Sequence, residues 1–244
     1  MRKKLCAALL ALSVACPSLH AQNLVNETQE QKDKRMEWFH KAKLGIFIHW
    51  GVYAVKGVSE SWSFYNKYLP HEEYMKQCEG FTASKYDPKA WVELIKESGA
   101  QYTVLTTKHH DGVALWDTKQ NGISVVKNTP AKRDLVTPFV NEVRKAGLRL
   151  GLYYSLPDWS HPDYPNMTRT DVRYKDDPKR WDNCCKFNFG QLKELNTTYK
   201  PDLYWFDGDW EQNAETWRAK GIMELLRSTN KDVIVNSRIT GYGD

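Results

Sequence analysis

Five short apolar runs punctuate an otherwise polar chain of 244 residues: Leu44–Gly51, Gln101–Thr107, Leu148–Ser155, Leu203–Phe206 and Asp232–Asn236. Segments with helical spacing fall between or after them, at Lys89–Ser98, Leu135–Ala146, Trp181–Tyr199 and Ala214–Ser228, and a polar helix within residues 22 to about 42 leads in. The runs are continuous rather than alternating, which predicts parallel strands buried on both faces. Strand, loop and helix alternating in this way predict an α/β fold. The arrangement reads as a (β/α)8-like TIM barrel. A closed barrel takes about eight strands, so the chain reads as one cut short after about five. No repeat or linker divides residues 22–244, which read as one partial barrel domain.

The N-terminus reads differently. Met1-Arg2-Lys3-Lys4 followed by the apolar stretch Leu5–Ala15, with Ala21 before Gln22, has the pattern of a secretory signal peptide over residues 1–21. The apolar stretch is too short to cross a bilayer. Ser13-Val14-Ala15-Cys16 matches a lipoprotein cleavage box only in part, because the leucine three before the cysteine is missing. The expected location is therefore secreted or periplasmic, with no membrane span.

Composition narrows the function. Lysines and arginines give a net charge of +5 but are dispersed among acids, without the basic stripe of a nucleic-acid binder. Of five cysteines, Cys6 and Cys16 fall in the leader. Cys78, Cys184 and Cys185 have neither zinc spacing nor an even number to pair. The ten tryptophans exceed what a core of this size needs.

The chemistry-bearing residues collect at the ends of the runs, where parallel α/β folds place their sites. Asp207 ends the fourth run, beside Trp205, Phe206 and Trp210. A carboxylate at a strand mouth among aromatic walls suits a sugar site, although Asp207-Gly208 is also a plain turn signal. His49 ends the first run. His109 and His110 end the second; adjacent strand residues point to opposite faces, so this pair suits hydroxyl recognition better than chelation of one metal. Tyr153-Tyr154 ends the third, and Tyr154, nearer the mouth, is the candidate. Arg238 follows the fifth and can bind sugar or orient Asp207. In the first loop Trp62 is a candidate stacking wall and Glu60 a weaker candidate acid.

Taken together, Gly45-Ile46-Phe47-Ile48-His49-Trp50-Gly51, Thr106-Thr107-Lys108-His109-His110-Asp111-Gly112, Gly151–Trp159 and Trp205-Phe206-Asp207-Gly208 resemble, in order, the α-L-fucosidases of glycoside hydrolase family 29. The loop Val55–Tyr68 is most similar to members from Bacteroidetes. The resemblance implies a retaining exo-α-L-fucosidase working through a covalent fucosyl-enzyme on Asp207, with fucosylated oligosaccharides or glycoconjugates as substrates and no metal or organic cofactor. It implies that His49, Trp62, His109, His110, Tyr154 and Arg238 line the fucose subsite. Many members have Glu-Trp-Tyr where this chain has Glu60-Ser61-Trp62-Ser63, carry their acid/base beyond the position of Asp244, and end in a β-sandwich that is absent here. A fucose-binding protein lacking its acid/base, and a metal-dependent hydrolase, are the alternative readings.

Overall fold

The computed structural model describes residues 27–244; the leader read over residues 1–21 lies outside the described residues. Helix α1 spans Gln29–Ala42 and opens on a capping box, the Thr28 hydroxyl accepting from the Gln31 backbone while the Gln31 side chain accepts from the Thr28 backbone. Strand β1 (Gly45–Ile48) follows, then a 3₁₀ turn at Val52–Ala54 and three short helices, α2 (Trp62–Tyr65), α3 (His71–Met75) and α4 (Gln77–Gly80). Helix α5 (Pro88–Glu97) begins at Pro88 behind Asp87, whose carboxylate caps the Ala90 amide. Next come β2 (Tyr102–Lys108), a turn of helix α6 (Val125–Asn128), α7 (Val136–Lys145), β3 (Arg149–Ser155), α8 (Pro178–Tyr199), β4 (Leu203–Asp207), α9 (Ala219–Thr229) and β5 (Ile234–Val235). Helix α8 starts by the same device as α5, with Asp177 capping Arg180 ahead of Pro178.

The five strands pair in parallel in the order β1-β2-β3-β4-β5. Sequential parallel order is that of a (β/α) barrel, and ring contacts show that the sheet curls like one. Phe47 on β1 meets Trp205 on β4 at a centroid distance of 5.5 Å, and Tyr153 on β3 at 5.9 Å. In a flat sheet β1 and β4 would lie about 14 Å apart. On the concave side, Val104, Tyr153, Leu203 and Ile234 form a small cluster closed from below by Met36, Trp38 and Phe39 of α1. The main core lies on the convex side, between the sheet and helices α5, α7, α8 and α9.

The expected strands and long helices are present, with shifted edges. The helix expected from Ala214 begins at Ala219, after Arg218 adopts φ +56°. The fifth strand is reduced to two residues, because the Asn236 side chain takes over the pairing: its amide accepts from the Phe206 N–H at 2.9 Å and donates to the Phe206 carbonyl at 3.0 Å. The loop expected over residues 52–70 contains the 3₁₀ turn and α2, which are too short to show a period in sequence.

Among the described residues β1 and β5 each pair on one side only. Beside β1 a groove is lined by Ile46, Ile48, Trp91, Ile95 and the exposed Leu94. An open strand edge beside an apolar groove promotes association. Residues 22–244 produced alone are therefore expected to bind a hydrophobic dye and to self-associate with rising concentration in sedimentation velocity. A monomer that melts cooperatively would show that the edge is tolerated.

Candidate active site

The C-terminal strand ends converge on the concave side of the sheet, the candidate cavity, where Asp207, the last residue of β4, meets groups from β3, from the end of β2 and from beyond β5. Alternation along β4 turns Leu203, Trp205 and Asp207 to the concave side and Tyr204 and Phe206 to the helices. Gly208 follows at φ +82°, and a Cβ there would lie 2.3 Å from the Pro157 ring. Glycine is thus required for the chain to turn away from the carboxylate.

Each oxygen of Asp207 is held. The Arg238 guanidinium binds Oδ1, and the Tyr153 hydroxyl donates to Oδ2 at 2.8 Å. Arg238 also lies over the Trp210 ring at 5.2 Å. His110 Nε2 is 3.6 Å from Oδ2, an ion-pair distance. The imidazole is nonetheless neutral there, because burial pushes its pKa down to about 3, outweighing the pull of Asp207. Its tautomer follows from the neighbours. The Ser155 hydroxyl has one proton and gives it to the Pro157 carbonyl at 2.6 Å. His110 Nδ1, 2.5 Å from the same oxygen, must therefore be the N–H donor. Nε2 is left as a buried acceptor without a partner.

His109 stacks on Tyr153, with ring centroids 5.7 Å apart and planes 10° apart, and its Nδ1 lies 2.6 Å from the Ser61 hydroxyl. Burial pushes its pKa well down. His49 packs edge-on to His109 at 4.9 Å and shares a 2.7 Å hydrogen bond with the Tyr53 hydroxyl. Its pKa is lowered by burial, with Glu60 and Asp207 pulling it back. Glu60 thus sits on the His49 side of the cavity, half-buried, with backbone φ +34°. Trp62 stands edge-on to His110 at 5.5 Å and lies parallel to Trp210 at 6.4 Å. Trp205 lies lower on the concave wall, against Phe47.

Two expectations are corrected. Tyr154 does not face the cavity. Strand alternation sends it to the helix side, fully buried, with its hydroxyl on Asn188 and Gln191 at 2.9 Å each; Tyr153 takes the concave position. Nor do His109 and His110 point apart. The β2–β3 register slips between Thr106 and Lys108, a one-residue bulge that turns Lys108 outward and His109 inward. The strand ends at Lys108, so His110 is free of the alternation. The two histidines and Asp207 offer ligand atoms within 4.8 Å of one another, a spacing a metal ion could use, but Arg238 is already the cation on that carboxylate.

Several site residues had no signal in sequence. Ser61 and Ser155 are ordinary loop and strand-end serines until the fold sets them against imidazoles. Glu211 is a buried-side carboxylate holding the Trp159 indole N–H at 2.9 Å and the Tyr164 hydroxyl at 2.6 Å, its pKa raised by burial. Trp159 in turn packs against Trp62 and His110.

The family profile described as Alpha-L-fucosidase matches residues 12–242. The tissue α-L-fucosidase of Mus musculus is 34% identical over 82% of this chain and 47% of its own length. The Branchiostoma floridae α-L-fucosidase is 33% identical over 96% of this chain and 55% of its own. Among solved structures, α-L-fucosidase isoenzyme 1 from Paenibacillus thiaminolyticus superposes with a TM-score of 0.79 at 36% identity, over 85% of this chain and 51% of that one. A family 29 α-L-fucosidase from Bacteroides thetaiotaomicron gives 0.77 at 34% identity, over 88% and 50%. The chain spans about half the length of these relatives. With strand-end blocks, curved sheet and profile in agreement, the chain belongs to the α-L-fucosidase family, glycoside hydrolase family 29.

Proposed function

We propose that the intact protein is a retaining exo-α-L-fucosidase that removes terminal α-L-fucose from oligosaccharides or glycoconjugates. The observation that carries this reading is the Asp207 carboxylate, fixed by Arg238 and Tyr153 beside an unpartnered acceptor on His110. Asp207 attacks the anomeric carbon as the glycosidic bond breaks, giving a β-linked fucosyl-enzyme that water then opens with net retention. Arg238 and Tyr153 hold the carboxylate in line. His110 Nε2 accepts a hydrogen bond donated by a sugar hydroxyl, and His49 and His109 stand where further hydroxyls can bind. Trp62 and Trp210 supply the apolar wall against which a sugar C–H face stacks. Glu60 is the acid/base candidate within this chain. A covalent intermediate trapped with 2-fluoro-fucosyl fluoride in the Bacteroides thetaiotaomicron relative, and Fucα(1,6)GlcNAc bound to the relative AlfC, support the assignment. No helix among the described residues is long and apolar enough to cross a membrane. Export belongs to the same proposal and rests on the pattern of residues 1–21.

Asp207→Ala in the intact protein is expected to lower kcat on an aryl α-L-fucoside at least about a thousandfold. Added azide should then give β-fucosyl azide, the external anion taking the carboxylate's place. Unchanged turnover in the variant would remove Asp207 from the mechanism.

The chemistry assigned here needs carboxyl groups and no Lewis acid. Activity is accordingly expected to survive exhaustive dialysis against EDTA. Loss on chelation with recovery on adding a divalent ion would favour a metal on His109, His110 and Asp207.

A further inference from the structure

Outside the cavity, Lys108 is a buried charge with one ion-pair partner. It is fully buried on the convex side of β2, its ammonium 4.4 Å from the Tyr154 ring centroid and 5.3 Å from that of Phe187. It donates to the Tyr154 hydroxyl at 3.1 Å and reaches Asp158 Oδ2 and Asn188 Oδ1 at 3.5 Å each. Asp158 is its ion-pair partner. A lone buried pair contributes little net stability, but it can fix a register. Lys108 stands where the β2 bulge ends. Losing the bulge would put the ammonium on the concave side and turn His109 away from the cavity.

Asp158 carries the connection further. Its Oδ1 accepts the His161 N–H at 2.9 Å. It packs so tightly under Gly112, at φ +77°, that a Cβ there would lie 2.2 Å from Oδ1. The next residue, Trp159, donates its N–H to the His110 carbonyl at 2.8 Å and lays its ring 4.5 Å from the imidazole. Lys108 therefore acts on His110 by two routes, along the chain and through the Asp158–Trp159 turn.

We propose that Lys108 and Asp158 form a register lock: the pair fixes the bulge that turns His109 and His110 into the cavity, and anchors the turn through which Trp159 grips His110. Both are positioning residues, since neither touches the reacting atoms. The kinetic part of this proposal rests on the fucosidase reading; the structural part does not.

The test compares the intact protein with Lys108→Met, Asp158→Asn and the double variant K108M/D158N. Each single change leaves one charge of the pair without its partner and should lower Tm, whereas the double variant removes both charges of the pair and should regain most of that loss. The lock predicts that the recovered double variant still has kcat on an aryl α-L-fucoside reduced at least about tenfold. It also predicts that the His110 ring ¹⁵N signals no longer show the Nδ1–H tautomer alone. A double variant with wild-type kcat and unchanged His110 signals would reduce the pair to a stabilising contact and overturn the proposal. If the wild-type protein cleaves no fucoside, the fucosidase reading fails and the His110 signals alone decide. If the double variant does not fold, Gly112→Ala decides by the same signals: it keeps both charges and displaces the Asp158 carboxylate, so unchanged signals overturn the lock.

Discussion

Curvature is the constraint on which the rest of this molecule depends. Phe47 can touch Trp205 across two intervening strands only because the sheet closes toward itself. That closure creates a concave side filled by inward-facing side chains, and α1 fills its floor with Met36, Trp38 and Phe39. It also draws residues from the ends of β1, β2, β3 and β4 into one space. Uncurled, the same strands would hold His49 and Asp207 more than a ring-contact apart; curled, both flank Tyr153.

The two faces of the sheet then follow different rules. The convex face carries a large core of aliphatic and aromatic side chains against amphipathic helices, where packing density decides what fits. Above Trp205 and Phe47, the concave face carries polar groups that constrain one another. Asp207 is acceptable on that face because Arg238 and Tyr153 meet its oxygens. Arg238 arrives because the Asn236 side chain completes β5 and lets the backbone turn two residues later. His109 and His110 are acceptable because Ser61 and Ser155 take one nitrogen of each.

The sequence made the βα order and the strand ends readable, since both depend on local composition: an apolar run, then a residue with a reactive head. It also pointed to Asp207, His49, the histidine pair and Arg238, because each lies at or just beyond such an end. Tyr154 lies nearer the mouth, yet alternation decides which of two neighbouring tyrosines faces inward, and it turns Tyr153 there. The histidine pair shows the reverse: a bulge between Thr106 and Lys108 cancels the alternation. A bulge depends on the neighbouring strand, and no window on one strand contains that information. Ser61, Ser155 and Glu211 are illegible in sequence for the same reason, their roles coming from partners 45 to 52 residues away along the chain.

The bare nitrogen of His110 has a consequence for discrimination. A buried acceptor facing a carboxylate oxygen at 3.6 Å is a small electrostatic debt that stays open until a donor enters. A ligand bringing a hydroxyl proton to that point removes an existing penalty, while its deoxy counterpart leaves both acceptors facing each other in a drier space. For the sugar pocket proposed above, the expectation is that a missing hydroxyl is rejected more sharply than an added methyl group is rewarded, an asymmetry inherent in any site whose selectivity rests on an unpaired polar atom.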